Sequence, residues 1–86
     1  MEFRISQHAI TEMHRRGIGC DVVVSVLENP QQIVAGRVGR KIHQSQIIGD
    51  DGKVYLVRVV LDDEIMPPVV ITVYRAGKIS KYWRGT

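Results

Sequence analysis

Lys53-Val-Tyr-Leu-Val-Arg-Val-Val-Leu61 is apolar at nearly every position and rich in β-branched residues, so it reads as a strand covered on both faces, central in a sheet. Turn chemistry brackets it. Gly49-Asp50-Asp51-Gly52 precedes it, and Asp62 to Pro68 follows, ending in two prolines that cannot donate to a ladder. Working outward, further strands are predicted over Gln32 to Arg37, Arg40 to Ile48 and Val69 to Arg75, the first two joined by a turn at Val38-Gly39. Links this short join strands antiparallel, as a meander.

Placing Gly49 opposite Lys53 and Leu61 opposite Val69 sorts the side chains by face. One face carries Ile47, Tyr55, Val57, Val59, Leu61, Val69, Ile71 and Val73, an apolar surface for helices. The other carries Gln44, Gln46, Arg58, Thr72 and Tyr74 among Val54, Leu56, Val60 and Val70. A slip of one residue in either register would exchange the faces. Mid-sheet, a cation flanked by amides, a hydroxyl and a phenol is poor core chemistry, because an unpaired buried charge is costly. It suits an oxyanion or a phosphate.

Helices are predicted before the sheet. Ser6 is an N-cap, Ile5 and Ile10 have the spacing of a hydrophobic staple, and Gly17 is a C-cap that lets Ile18 fold back onto Met13. Loss of the cap is worth about 1 kcal/mol. Ala9, Ile10 and Met13 form the apolar stripe, with His8, Glu12 and Arg15 opposite. A second helix runs from Gly19 or Cys20 to Glu28, where Asn29-Pro30 stops it, and Val23, Val26 and Leu27 share a face. Met1 to Ile5 reads as a short extended lead-in or an edge strand. The expected fold is α+β, two short N-terminal helices packed on a four-stranded antiparallel β-sheet, in one domain spanning residues 1–86.

A chain of 86 residues, 44% hydrophobic and 24% charged, has the make-up of one small globular domain. Its longest apolar runs are too short for a membrane span, and the expectation is a cytoplasmic protein without membrane contact. Cys20 has no second cysteine to pair with, and the histidines at 8, 14 and 43 show no zinc spacing. No metal and no cofactor are expected. The net charge of +3 understates an asymmetry, because five of the nine acids, Asp50, Asp51, Asp62, Asp63 and Glu64, sit in two turns. The bases gather at Arg37, Arg40 and Lys41 and again at Arg75, Lys78, Lys81 and Arg84, interleaved with Tyr74, Tyr82 and Trp83. Such a surface suits a polyanion, most simply a nucleic acid; it also suits plain solubility.

The order and spacing of Ser6-Gln-His8-Ala9, Arg16-Gly17-Ile18, Asp21-Val22 to Leu27-Glu-Asn29-Pro30, Leu56 to Val60 and Ile71-Thr72-Val73-Tyr74-Arg75 resemble a known family. It is the bacterial domain of unknown function 4258 family, grouped with RelE/ParE-like toxins in the barnase, EndoU, colicin and RelE ribonuclease superfamily. The resemblance covers nearly the whole chain and implies a RelE-like fold and metal-independent RNA cleavage by a toxin with an acidic antitoxin partner. It carries His8, Arg16 and Tyr74 into that role. One departure is Glu12, where the family's helix often has arginine.

Metal-free RNA cleavage needs a base for the 2′-hydroxyl, a donor to the leaving oxygen and cations at the phosphorane. His8, off the apolar stripe and with an ordinary pKa near neutrality, is the candidate acid or base; it equally reads as a surface histidine near a helix start. Arg58 is the candidate phosphate clamp, or an arginine reaching a helix carboxylate. Tyr74 is the candidate donor or stacking group, or a strand tyrosine with its hydroxyl at the rim. Candidate nucleic-acid contacts are Arg16, Arg40, Lys41, Arg75, Lys78, Lys81, Trp83 and Arg84. Three functions stay open on these residues: a toxin-type endoribonuclease of a toxin–antitoxin system, a non-catalytic nucleic-acid-binding module, and a protein-interaction domain.

Overall fold

The computed structural model describes residues 2–85. Its elements in chain order are β1 (Arg4–Ile5), α1 (Gln7–Arg16), α2 (Cys20–Glu28), β2 (Gln32–Ala35), a 3₁₀ turn (Arg37–Gly39), β3 (Lys41–Ile48), β4 (Val54–Asp62), β5 (Val69–Ala76) and α3 (Ile79–Tyr82). The strands make one sheet in the order β1-β5-β4-β3-β2. Strands β2 to β5 form the expected antiparallel meander.

The sheet is nevertheless five-stranded and mixed, because β1 pairs parallel with β5, Arg4 beside Val69 and Ile5 beside Val70. Arg4 donates to the Pro68 carbonyl at 2.9 Å and Ser6 to that of Val70 at 3.1 Å. Of the predicted Met1 to Ile5 segment, the structure thus makes an edge strand of its last two residues, while Met1 lies outside the described residues. A two-residue strand has no periodicity of its own; a partner far along the chain creates it.

Both ends of α1 form as its residues dictate. The Ser6 hydroxyl accepts from the Ala9 N–H at 3.1 Å and donates to the Ile71 carbonyl at 3.2 Å, so the cap also ties α1 to the sheet. Gly17 has φ 65°, and Ile18 N–H reaches back to the Met13 carbonyl at 2.9 Å, satisfying a last-turn acceptor. Ala9, Met13, Ile18, Val23, Val26 and Leu27 pack onto Val57, Val59, Leu61, Val70 and Val73 to form the core.

The faces are as the pairing predicts except on β5. Gly49 donates to Lys53 at 2.8 Å, but a bulge between Val60 and Leu61 sets Leu61 opposite Val70 rather than Val69. The extra residue on β5 turns Val70 into the helix-covered core. Strand β2 is also shorter than predicted, ending at Ala35, because Gly36 N–H donates to the Arg40 carbonyl at 2.7 Å and the hairpin turn begins there.

Candidate nucleic-acid interface

Val57 and Val59 point into the helix-covered core, so alternation turns Arg58 to the reverse face. Register then aligns four residues in one row across four strands: Gln32 opposite Gln44, Gln44 opposite Arg58, and Arg58 opposite Tyr74. The row is hydrogen-bonded end to end. Arg58 donates through Nη1 to the Tyr74 hydroxyl at 2.6 Å and through Nε to Gln44 Oε1 at 2.9 Å; Gln44 Nε2 donates to Gln32 Oε1 at 2.8 Å.

The C-terminal segment lies across this row. Gln44 Nε2 also reaches the Tyr82 carbonyl at 3.2 Å, and the Gln32 amide pairs both ways with the Arg84 backbone, accepting from its N–H at 3.0 Å and donating to its carbonyl at 2.7 Å. The Tyr82 ring covers the guanidinium at 4.3 Å and meets the Tyr74 ring edge-on, centroids 6.4 Å apart. Arg58 is therefore only 6% exposed. Among the described residues no carboxylate lies within ion-pair distance of it. A guanidinium stays charged, so two charge-assisted hydrogen bonds and an aromatic face carry that burial, the latter worth about 2 kcal/mol when desolvated.

The other predicted site residues fall in four places. His8 is exposed on α1, the helix packed on the opposite face from Arg58, so the sheet separates it from the Arg58–Tyr74 pair. Arg16 donates to Glu12 Oε1 at 2.9 Å, beside Arg15, and the two guanidinium groups hold the Glu12 carboxyl down to about 2. Arg40 and Lys41 sit against the acidic turn, to Asp62 at 3.8 Å and Asp63 at 2.6 Å, and the Lys41 ammonium lowers the Asp63 pKa. Arg75 stacks on the Tyr55 ring at 4.8 Å beside a groove of about 330 Å³ on the helix-covered side.

Lys78, Lys81, Trp83 and Arg84 remain, all on the segment over the reverse face. Lys81 lies 5.3 Å from the Tyr82 ring centroid, and among the described residues none of these three cations has a carboxylate within ion-pair distance. The basic surface read from the sequence is thus mostly neutralised at Arg16, Arg40 and Lys41 and unpaired along residues 78–84.

Gln32, a member of the row, is not among the residues singled out in the sequence, and Tyr82, which covers the row, is there only as an aromatic of the basic surface. The two-residue Val38-Gly39 turn read from the sequence would set Gln32 opposite Ser45; the three-residue turn Arg37–Gly39, closed by Gly36 N–H on the Arg40 carbonyl, shifts the register by one and sets it beside Gln44. Tyr82 carries no local signal, since its place depends on a chain reversal after Ala76. His43, opposite Val59, faces the helices, and burial pushes its pKa down. No cluster of three metal-ligating side chains occurs among the described residues, and no described helix is long and apolar enough to cross a membrane.

These features define a small α+β protein with a mixed sheet, shielded on one face by two helices and carrying on the other a buried arginine under a cationic, aromatic C-terminal segment. The chain belongs to the family described as Domain of unknown function (DUF4258), whose model matches residues 5–75. The match takes in Arg58 and Tyr74 and stops short of the segment that covers them. No curated protein and no solved structure matches the chain.

Proposed function

We propose that this protein binds single-stranded RNA across the reverse face of its sheet. The observation that carries the reading is the segment 78–84, where Lys78, Lys81 and Arg84 alternate with Tyr82 and Trp83, unneutralised among the described residues and held in place by Gln44 and Gln32. Cations track a phosphate backbone while aromatic rings stack on unpaired bases, each stack worth about 1 to 3 kcal/mol. Arg58 lies directly beneath the Tyr82 ring.

Fluorescence anisotropy of a labelled single-stranded RNA tests this. Affinity should fall with salt at a slope of roughly 0.7 per phosphate neutralised, and the Lys78→Ala/Lys81→Ala/Arg84→Ala variant should flatten that slope by about two units if all three cations contact phosphates. The single tryptophan, Trp83, should be quenched on binding. Salt-insensitive binding, or binding unchanged in the triple variant, defeats the proposal.

A second reading, the toxin-type endoribonuclease of a RelE-like system with an acidic antitoxin, is favoured by one contact: the Arg58–Tyr74 hydrogen bond places a proton donor beside a cation. With His8 beyond the sheet, such chemistry would run without it. RNA fragments that appear with wild type and His8→Ala but vanish with Tyr74→Phe and Arg58→Ala would support this reading; intact RNA with wild type would refute it.

A further inference from the structure

One residue, Tyr82, presents two different groups to the row beneath it. Its ring lies flat enough over Arg58 to sit 4.3 Å from the guanidinium carbon, and its own carbonyl accepts from Gln44 Nε2 at 3.2 Å. Tyr74 closes the side, its ring at 72° to that of Tyr82. A planar π-face and a carbonyl oxygen, offered together to a guanidinium plane and an amide N–H, are the two features a keto nucleobase offers. The socket floor is rigid, since Gln44, Arg58 and Tyr74 stand on paired strands. Its occupant stands on α3, a four-residue helix with no buried residue and no side-chain N-cap, between Gly77 and Gly85.

We propose that the socket formed by Arg58, Gln44 and Tyr74 is a nucleobase-binding site, filled by the protein's own Tyr82 when no RNA is present. This rests on the RNA-binding reading and adds a preference to it. Entry of a base exchanges like for like: stacking on Arg58 for stacking, and a carbonyl on Gln44 for a carbonyl. The polar rim of the socket consists of donors. Gln44 Oε1 is taken by Arg58 Nε, and Gln32 Oε1 by Gln44 Nε2, whereas Tyr74, which accepts from Arg58, keeps its own hydroxyl hydrogen to give. Uracil and guanine bring carbonyl oxygens to such a rim. Where uracil and guanine carry that oxygen adenine carries an exocyclic amine, a donor facing donors, and its ring-nitrogen acceptors reach the rim only in a shifted pose.

Tyr82→Ala vacates the stacking half of the socket and leaves the main-chain carbonyl of residue 82 on Gln44, for the carbonyl of an entering base to displace. Binding of uridine 5′-monophosphate and of adenosine 5′-monophosphate to Tyr82→Ala is followed by NMR shifts of the Arg58 and Gln44 side chains. The phosphate and ribose are common to both, and adenine stacks more strongly, so a preference for uridine isolates the hydrogen bonds. Uridine monophosphate should bind Tyr82→Ala about tenfold tighter than adenosine monophosphate, the worth of one hydrogen bond to a donor otherwise left unpaired. It should also bind Tyr82→Ala more tightly than wild type. Adding Tyr74→Phe, a change at a half-buried position, should shrink the preference.

Equal binding of both nucleotides, binding of neither, or shifts confined to residues outside the socket would overturn the socket. Those outcomes leave wild-type RNA binding intact, whereas loss of RNA binding in wild type with uridine still preferred by Tyr82→Ala would overturn only the wider reading.

Discussion

Replacing Gln44 with leucine tests whether the row on the reverse face is held by pairing or merely by packing. Gln44 is fully buried, and its amide is the joint between a cation and the C-terminal segment. Leucine fills a similar volume but leaves Arg58 Nε buried without an acceptor, a loss of about 2 to 3 kcal/mol for a charged donor. The bonds to Gln32 and to the Tyr82 carbonyl add about 1 kcal/mol, since both partners are half-buried and find water, and the leucine's apolar burial returns roughly 1 kcal/mol. Gln44→Leu should therefore cost about 2 to 3 kcal/mol, a fall in Tm of roughly 8 to 24 °C for a domain of this size. The decisive measurement is the double variant Arg58→Met/Gln44→Leu, followed by urea unfolding. Replacing both partners by apolar groups removes the orphaned charge, so the double variant should lose only about 1 kcal/mol and be more stable than Gln44→Leu alone. If the two substitutions add, or the double variant is the less stable, burial of Arg58 is not sustained by Gln44 and the reasoning fails.

Other substitutions probe separate parts of the molecule. His43 has its pKa lowered by burial, so the folded protein resists protonating it; its share of stability is complete above the ordinary value of 6.5 and is lost as pH falls from there through the lowered folded value. Thermal unfolding at pH 7.5 and 5.5 should show a smaller difference for His43→Leu than for wild type, and an unchanged difference would count against the assignment. Val38 has φ 55° and is 91% exposed in the β2–β3 turn, where a β-branched residue is strained; Val38→Asn should raise stability by about 1 kcal/mol in chemical denaturation, and a loss would show that the turn is not strained.

Much of this architecture is legible in the residues, and the failures have physical reasons. Ser6, Gly17 and Ile18 mark their helix because capping is chemistry between near neighbours. Gln44 and Arg58 come out on one face because alternation and a tight turn propagate register along β3 and β4; Tyr74 joins them because the β4–β5 register there is displaced by two residues, which preserves the face. Propagation ends at the bulge, which is why Val70 changes sides. Pairings made across long separations leave no local trace: β1 beside β5, and Gln32 with Arg84, are cases where the partner decides. The separation of His8 from Arg58 is, by contrast, implied by the two faces, since the helices take the apolar one and Arg58 lies on the other.

The seat of α1 has a bearing on how this chain matures during synthesis. The helix and its cap emerge well ahead of their seat: the Ser6 hydroxyl bonds to the Ile71 carbonyl, 65 residues on, and β1 pairs with Val69 and Val70. Their partners on the sheet are missing until β5 has left the ribosome. Pairing across so much chain is slow to establish, because closure entropy is lost before the contacts form. The nascent protein must therefore hold α1 and its apolar stripe unsheltered until β5 emerges, and the domain closes in one late step.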